Sequence, residues 1–383
     1  MQSPSGYGHT IKGADVARRL FHGEKLVFLI FSAKRSVHNP SLAKLWSDVR
    51  VCYLPRFPLL DEIRFRPLIR RWDGMARWVL RMFVRMFAKK TVEVMGIMDL
   101  YRCLPVCTPL AAEEEKELDE ISPTLRYVYR YVGLIRSTPL PPLRLPASDR
   151  RLVSEILARK SGVPVSRHRI CCLYLRQKDA DTKERTNTNV RNGSGIESYL
   201  PALRELVDAG YQVLVTGDEA LPAAILQAFD GMVLDAENST VERSLFSLYA
   251  ASECEFFIGE AGGGVWLPCA CGIPILLTNF LPIYAGIPNS TVMFKSIRDR
   301  DGEEVPLETL FKTYPFEYKF DEWTIQNNSP EELREGIVHF ISSGDSTTCM
   351  TAKAEKLAGL LPRHTLFRES GARMSPAWLA HHS

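Results

Sequence analysis

The stretch "FFIGEAGGGVWLPCACGIPILLTNF" occupies Phe256–Phe280. An apolar run of strand length meets an acid, Glu260, and then three glycines, Gly262, Gly263 and Gly264. A short stretch of small and apolar residues follows, and "IPILLTNF" reads as a second buried strand. Strand, glycine turn, short helix and strand make one unit of a parallel sheet. Three glycines let the backbone come close to a neighbour at the carboxyl end of the first strand. In an open α/β sheet ligands bind at that edge. Unpaired N–H groups at the start of the helical turn favour an anion, and a pyrophosphate fits the description. The competing explanation is a tight turn with close strand–helix packing.

Working outward, the same alternation runs from about 167 to 280. "RHRICCLYLR" (Arg167–Arg176), "YQVLVTGD", "GMVLDA" and "CEFFIG" read as strands. "GSGIESYLPALRELVDAG" (Gly193–Gly210), "ALPAAILQAF" and "STVERSLFSLYAAS" read as helices, the last with Ser239 as the expected cap and Glu242 in its first turn. Apolar runs of this length between helical patterns indicate βαβ units around a parallel sheet. In the first half "KLVFLIF", "DVRVCYLP" and "TVEVMGIM" read as strands, with helices over "IKGADVARRLFHG" and "PSLAKLWSD". "STPLPPLRLPASDR" (Ser137–Arg150) carries Pro139, Pro141, Pro142 and Pro146, which no helix interior tolerates, and reads as a linker. The expected division is an α/β domain over 1–145, a second over 146–340, and a helical tail over 341–383 packing back on the first domain.

Bulk properties narrow the class. A chain of 383 residues exceeds what one core usually organises. A formal charge of +3 gives no argument for nucleic acid. The nine cysteines include no Cys-x-x-Cys pair, and most sit in apolar patterns, so buried free thiols and a cytoplasmic setting are expected. The polar, glycine-rich opening does not resemble a signal peptide, and no apolar run reaches the roughly 20 residues of a membrane span.

Several groups fit phosphate or sugar chemistry. Arg176 ends a strand and Lys178 follows it. The long polar loop beyond carries Lys183, Arg185 and Arg191. Cations there can neutralise a leaving diphosphate. Gly217 and Asp218 end the next strand, where glycine and polar atoms can approach a nucleoside. Glu260 repels a phosphate, so it suits ribose or sugar hydroxyls, or a neighbouring Arg. In "SGYGHT" (Ser5–Thr10) a loop before a helix presents His9, a candidate general base. Arg77, Arg81 and Arg85 recur every fourth residue beside Trp78, Met82 and Phe83, giving a basic helical stripe suited to an anionic membrane surface.

Taken together, these stretches resemble a family of bacterial glycosyltransferases of GT-B architecture, α/β proteins with two Rossmann-like domains and a cleft between them. "GYGHT" resembles that family's Gly-His loop, "HNPSLAKLW" its Asn-x-x-Leu segment, and "CLYLRQ" its strand ending in His-x-Arg, with Tyr174 at the histidine. "RNGSGIESYLPALRELVDAGYQVLVTGD" and "FFIGEAGGGVWLPCACGIPILLTNF" resemble its two most specific blocks, and "GARMSPAWL" its tail. The likeness spans most of the chain and is specific from about 170 to 280. It implies that Arg176, Arg191 and the Gly262–Gly264 loop hold a donor diphosphate, and that Asn279 lies near the cleft. Glu260-Ala261 replaces a hydroxyl pair of the family pattern.

The expected function is sugar transfer from a nucleotide-sugar donor to a hydroxyl of a glycan or lipid-linked acceptor in bacterial surface-polysaccharide assembly. Arginines and turn N–H groups supply the positive charge, so no metal or separate cofactor is expected. The basic stripe would hold the enzyme peripherally at the inner membrane face. Two alternatives share the scaffold: a sugar-nucleotide epimerase, and a non-catalytic binding module of glycan assembly.

Overall fold

A computed structural model describes residues 7–32, 39–46, 49–55, 78, 82, 97–122, 125–167, 169–176, 193–217, 220–316, 322–343 and 351–382. The first half opens with a helix, Tyr7–Leu20, buried on all sides from Thr10 to Ala17. Behind it lie two strands, β1 (Leu26–Ser32) and β2 (Val49–Pro55), paired in parallel with Leu26 opposite Val49. "PSLAKL" (Pro40–Leu45) forms a 3-10 turn, with Asn39 as its cap. "TVEVMGIM" was expected to be a strand. Residues 91–96 lie outside the described residues, and Ile97–Arg102 is a helix instead.

The second half is a seven-stranded sheet in which every pairing is parallel. Its first six strands are β3 (Arg169–Leu175), β4 (Tyr211–Gly217), β5 (Val233–Leu234), β6 (Phe256–Gly259), β7 (Ile275–Phe280) and β8 (Ser290–Phe294). An antiparallel pair stands apart, β9 (Ser296–Arg298) with β10 (Thr324–Gln326). The tail adds β11 (Arg373–Met374), so the order is β11-β8-β7-β6-β3-β4-β5.

Chain order along this sheet contains one reversal. From β3 the chain moves out through β4 and β5, then returns to the other side of β3 with β6 and moves out again through β7 and β8. The reversal falls between β3 and β6, and in open parallel sheets the crevice opens at the carboxyl ends of such a strand pair. Apolar sequence makes this possible. All six residues of β7 are buried, with Ile275, Leu276 and Leu277 completely so. Such continuous runs belong to a sheet covered on both faces. Leu276→Ala would cost about 2–5 kcal/mol, since the surroundings collapse only partly into the gap.

The α/β class read from the sequence holds, and two local expectations are corrected. Ser239 does not cap the helix Arg243–Glu253; Glu242 does, accepting from the N–H groups of Ser244 and Leu245. Ser239 instead ends a short turn of helix, where its hydroxyl donates to the Ala236 carbonyl and accepts from the Val241 N–H. The tail is not purely helical, because β11 extends the main sheet beside β8. It also meets the first half: Arg363 pairs with Glu114, and Arg136 donates to the Glu369 carbonyl.

Candidate functional site

The carboxyl end of β3 delivers Arg176, and that of β6 delivers Glu260 and the glycine turn. Gly262 is extended, and Gly263–Val265 form a 3-10 turn that leads into the helix Trp266–Ala270. The opening N–H groups of such a turn have no partner within it. Two of the glycines owe their identity to Tyr174. A Cβ on Gly262 would lie 2.9 Å from the Tyr174 hydroxyl, and one on Gly264 would lie 2.8 Å from its ring. The turn rests on that ring, so close packing is part of its explanation. Gly263, between them, is exposed.

Arg176 lies against the same turn. Its Nη1 donates to the Ala261 carbonyl at 2.9 Å and lies 3.3 Å from where a Gly262 Cβ would stand. Its Nε is buried and has no hydrogen-bond partner. Arg176 and Glu260, which leads into the glycine turn, stand 84 residues apart in the sequence; the β3–β6 pairing brings them side by side.

Beneath the turn sits Glu260, with no exposed surface. Its Oε2 accepts from the Arg176 N–H at 2.8 Å. Its Oε1 accepts from the Ser194 N–H at 2.9 Å, the Tyr199 hydroxyl at 3.1 Å and Asn279 Nδ2 at 3.1 Å. Burial pushes this carboxyl up to about 7, against the downward pull of those four donors. Nearby Lys295, also buried, is brought down to about 8, chiefly by burial; Glu260 pulls it upward and Arg176 downward. The expectation that Glu260 contacts a ribose or sugar is therefore corrected. Its lone pairs are directed at protein donors, and it ties the chain before residue 177 to the chain after residue 192.

Asn279, which the resemblance puts near the cleft, belongs to the same buried network. It is fully buried, with φ at 49°, and exchanges hydrogen bonds with Asn328: Asn279 N–H to Asn328 Oδ1 at 2.7 Å and Asn328 N–H to Asn279 Oδ1 at 2.6 Å. Both residues build the floor of the site. Gly217 closes β4 with φ at 125°, a conformation that suits glycine. Lys178, Arg191 and Asp218 lie outside the described residues, as do Arg77, Arg81 and Arg85. Trp78 and Met82, beside that basic stripe, are helical and exposed, 61% and 41%. His9 is not on a loop; it belongs to the first turn of the helix Tyr7–Leu20.

Sequence reading missed Tyr199, Lys295, Lys12 and Asp15. The first two sit in runs whose apolar neighbours dominated the pattern. Lys12 and Asp15 were absorbed into an ordinary amphipathic helix, and only their burial, 7% and 1% exposed, sets them apart. The sequence also contains two Asp-x-Asp pairs. Asp179 and Asp181 lie outside the described residues, and Asp299 Oδ1 accepts from the N–H groups of Asp301 and Glu303 in a tight turn. Among the described residues no cluster of His, Cys, Asp and Glu is arranged to hold a metal ion, and no helix is long and apolar enough to cross a membrane.

No protein-family model and no curated protein matches the sequence. Two solved structures are similar. The Escherichia coli ADP-heptose LPS heptosyltransferase II is 13% identical with a TM-score of 0.42, over 76% of this chain and 88% of that one. A glycosyl transferase of family 9 from Veillonella parvula DSM 2008 is 10% identical with a TM-score of 0.42, over 75% and 83%. Likeness at that level carries no argument about activity.

Proposed function

We propose that the protein is a glycosyltransferase of GT-B type that moves a sugar from a nucleotide-sugar donor to a hydroxyl of a glycan or lipid-linked acceptor. The observation that supports this best is the meeting of Arg176 with the Gly262–Val265 turn at the β3–β6 switch point. A guanidinium and a run of turn N–H groups there favour a diphosphate. The nucleoside would extend toward Gly217 and Asp218 at the end of β4, and Lys178 and Arg191 would add charge from the segment beyond Arg176.

The chemistry then follows. The acceptor oxygen attacks the anomeric carbon, and the bond from that carbon to the diphosphate oxygen breaks. The acceptor proton passes to a base, for which His9 is the candidate. Arg176 and the turn stabilise the charge that develops on the leaving diphosphate. No metal takes part in this reading. The resemblance to bacterial surface-polysaccharide enzymes supports a glycan acceptor. The basic stripe at Arg77, Arg81 and Arg85, flanked by exposed Trp78 and Met82, supports peripheral placement at the inner membrane face. Donor turnover measured with and without a hydroxyl acceptor tests the reading: turnover only with acceptor is expected, and conversion of the donor sugar without one identifies an epimerase instead.

A further inference from the structure

The helix Tyr7–Leu20 packs on the glycine turn and on the short helix that follows it. At their junction lies Lys12, 7% exposed, with its ammonium 4.9 Å from the centre of the Trp266 ring. Trp266 directly follows the Gly263–Val265 turn. That ring is the one interaction found for the ammonium among the described residues. The carboxylate one turn further along the helix, Asp15, bonds other groups: its Oδ2 accepts from Arg19 Nε at 2.7 Å and from the Tyr131 hydroxyl at 2.9 Å, and its Oδ1 is buried without a hydrogen-bond partner. Burial alone brings the Lys12 amine down to about 8. An amine sealed from water without a carboxylate is costly to the fold, which points to a role other than stability.

We propose that Lys12 is an anion-binding residue supplied by the first half of the chain, whose ammonium meets a phosphoryl oxygen held over the Gly262–Val265 turn. This rests on the donor-site reading above and deepens it, since Arg176 and Lys12 would then grip one diphosphate from two different halves of the chain. His9 lies three residues before Lys12 in the first turn of the same helix. A diphosphate bound by Lys12 would bring its sugar toward the turn that carries His9. Thr10 Oγ1, buried and without a partner, lies between them in sequence.

Calorimetry with inorganic pyrophosphate tests the proposal on the full chain, using wild type, Lys12→Met and Arg176→Ala. Lys12→Met is expected to weaken binding about tenfold or more, with an unchanged or raised Tm, because an apolar side chain of similar length replaces an uncompensated charge. Binding by Lys12→Met within twofold of wild type, while Arg176→Ala loses affinity, overturns the Lys12 inference and leaves the donor site standing. Absence of pyrophosphate binding to wild type at millimolar concentration overturns both. Should Lys12→Met fail to fold, wild-type protein still decides. The ¹³C resonance of reductively methylated Lys12, assigned by its loss in Lys12→Arg, is expected to move as pyrophosphate is added, and a resonance that stays fixed overturns the inference.

Discussion

Gly193 has no side chain because Glu260 occupies the space: a Cβ built on Gly193 would fall 1.5 Å from Oε1 of the carboxylate. The two residues hold the base of the site together. Gly193 N–H donates to the Arg176 carbonyl at 3.1 Å, and Glu260 accepts from the N–H groups of Arg176 and Ser194. Gly193→Ala must therefore push the carboxylate or the chain aside. It is expected to lose several kcal/mol of stability, read by urea unfolding, and a variant with wild-type stability would contradict this geometry.

Glu260→Gln tests the same floor from the other side. A carboxylate can accept from all four donors, whereas an amide must turn its NH₂ toward an N–H. The expected cost at pH 8 is about 2–4 kcal/mol. The pH dependence has a definite sign. A carboxyl raised from 4.5 to about 7 binds its proton more tightly in the folded state. Its contribution is complete below about pH 4.5 and is lost as pH rises through about 7. Wild-type stability minus that of Glu260→Gln should therefore fall across this window, and a flat difference would refute the assignment.

The Tyr174 ring beneath the turn predicts a rescue. Gly264→Ala places a methyl group 2.8 Å from the ring and is expected to destabilise the protein by about 1–3 kcal/mol through overpacking. In the background of Tyr174→Ala the same change should cost much less. A double-mutant cycle measures this coupling; additive effects would show that the turn does not rest on Tyr174.

At the far end of the chain, His382 is 5% exposed and bonds Glu304 through Nδ1 and Glu332 through Nε2, both at 2.6 Å. Burial lowers its pKa, but the two carboxylates together outweigh that and raise it above 6.5. Glu332 moves down to about 2: burial opposes this, and the hydrogen bonds of His382 and Ser329 prevail. A raised histidine contributes fully below pH 6.5 and is lost as pH rises through its folded value. A depressed carboxylate contributes above 4.5 and is lost as pH falls toward 2. His382→Ala should therefore lower Tm more at pH 5.5 than at pH 9. An equal loss at both would contradict the charged clamp.

Transfer activity is expected to survive chelation within twofold, because guanidinium and N–H groups carry the role of a cation in this reading. Loss of activity in EDTA, restored by magnesium or manganese, would overturn the metal-free mechanism and direct attention to Asp179 and Asp181.

Much of the second-half fold was legible because parallel strands buried on both faces read as unbroken apolar runs, as in β3, β6 and β7. β5, though only two residues long, was legible within "GMVLDA". β11, equally short, was not, because two residues are too few for a period and it gains its place only from β8. Glycines marked the turn, and strand ends marked Arg176, since both follow from local sequence. The roles of Glu260 and Asn279 did not, because their partners Ser194, Tyr199 and Asn328 arrive from distant segments. Lys12 escaped notice because burial is a property of the assembled fold, and a lysine in a helical pattern reads as solvated.

The central claim is that the β3–β6 switch point receives a diphosphate between Arg176 and the glycine turn. Isothermal titration of wild type and Arg176→Ala with a panel of nucleoside diphosphates tests it most directly. At least one nucleotide should bind wild type below millimolar and lose about tenfold or more in a folded Arg176→Ala variant. Failure of every nucleotide to bind, or equal affinity for both proteins, would contradict the account.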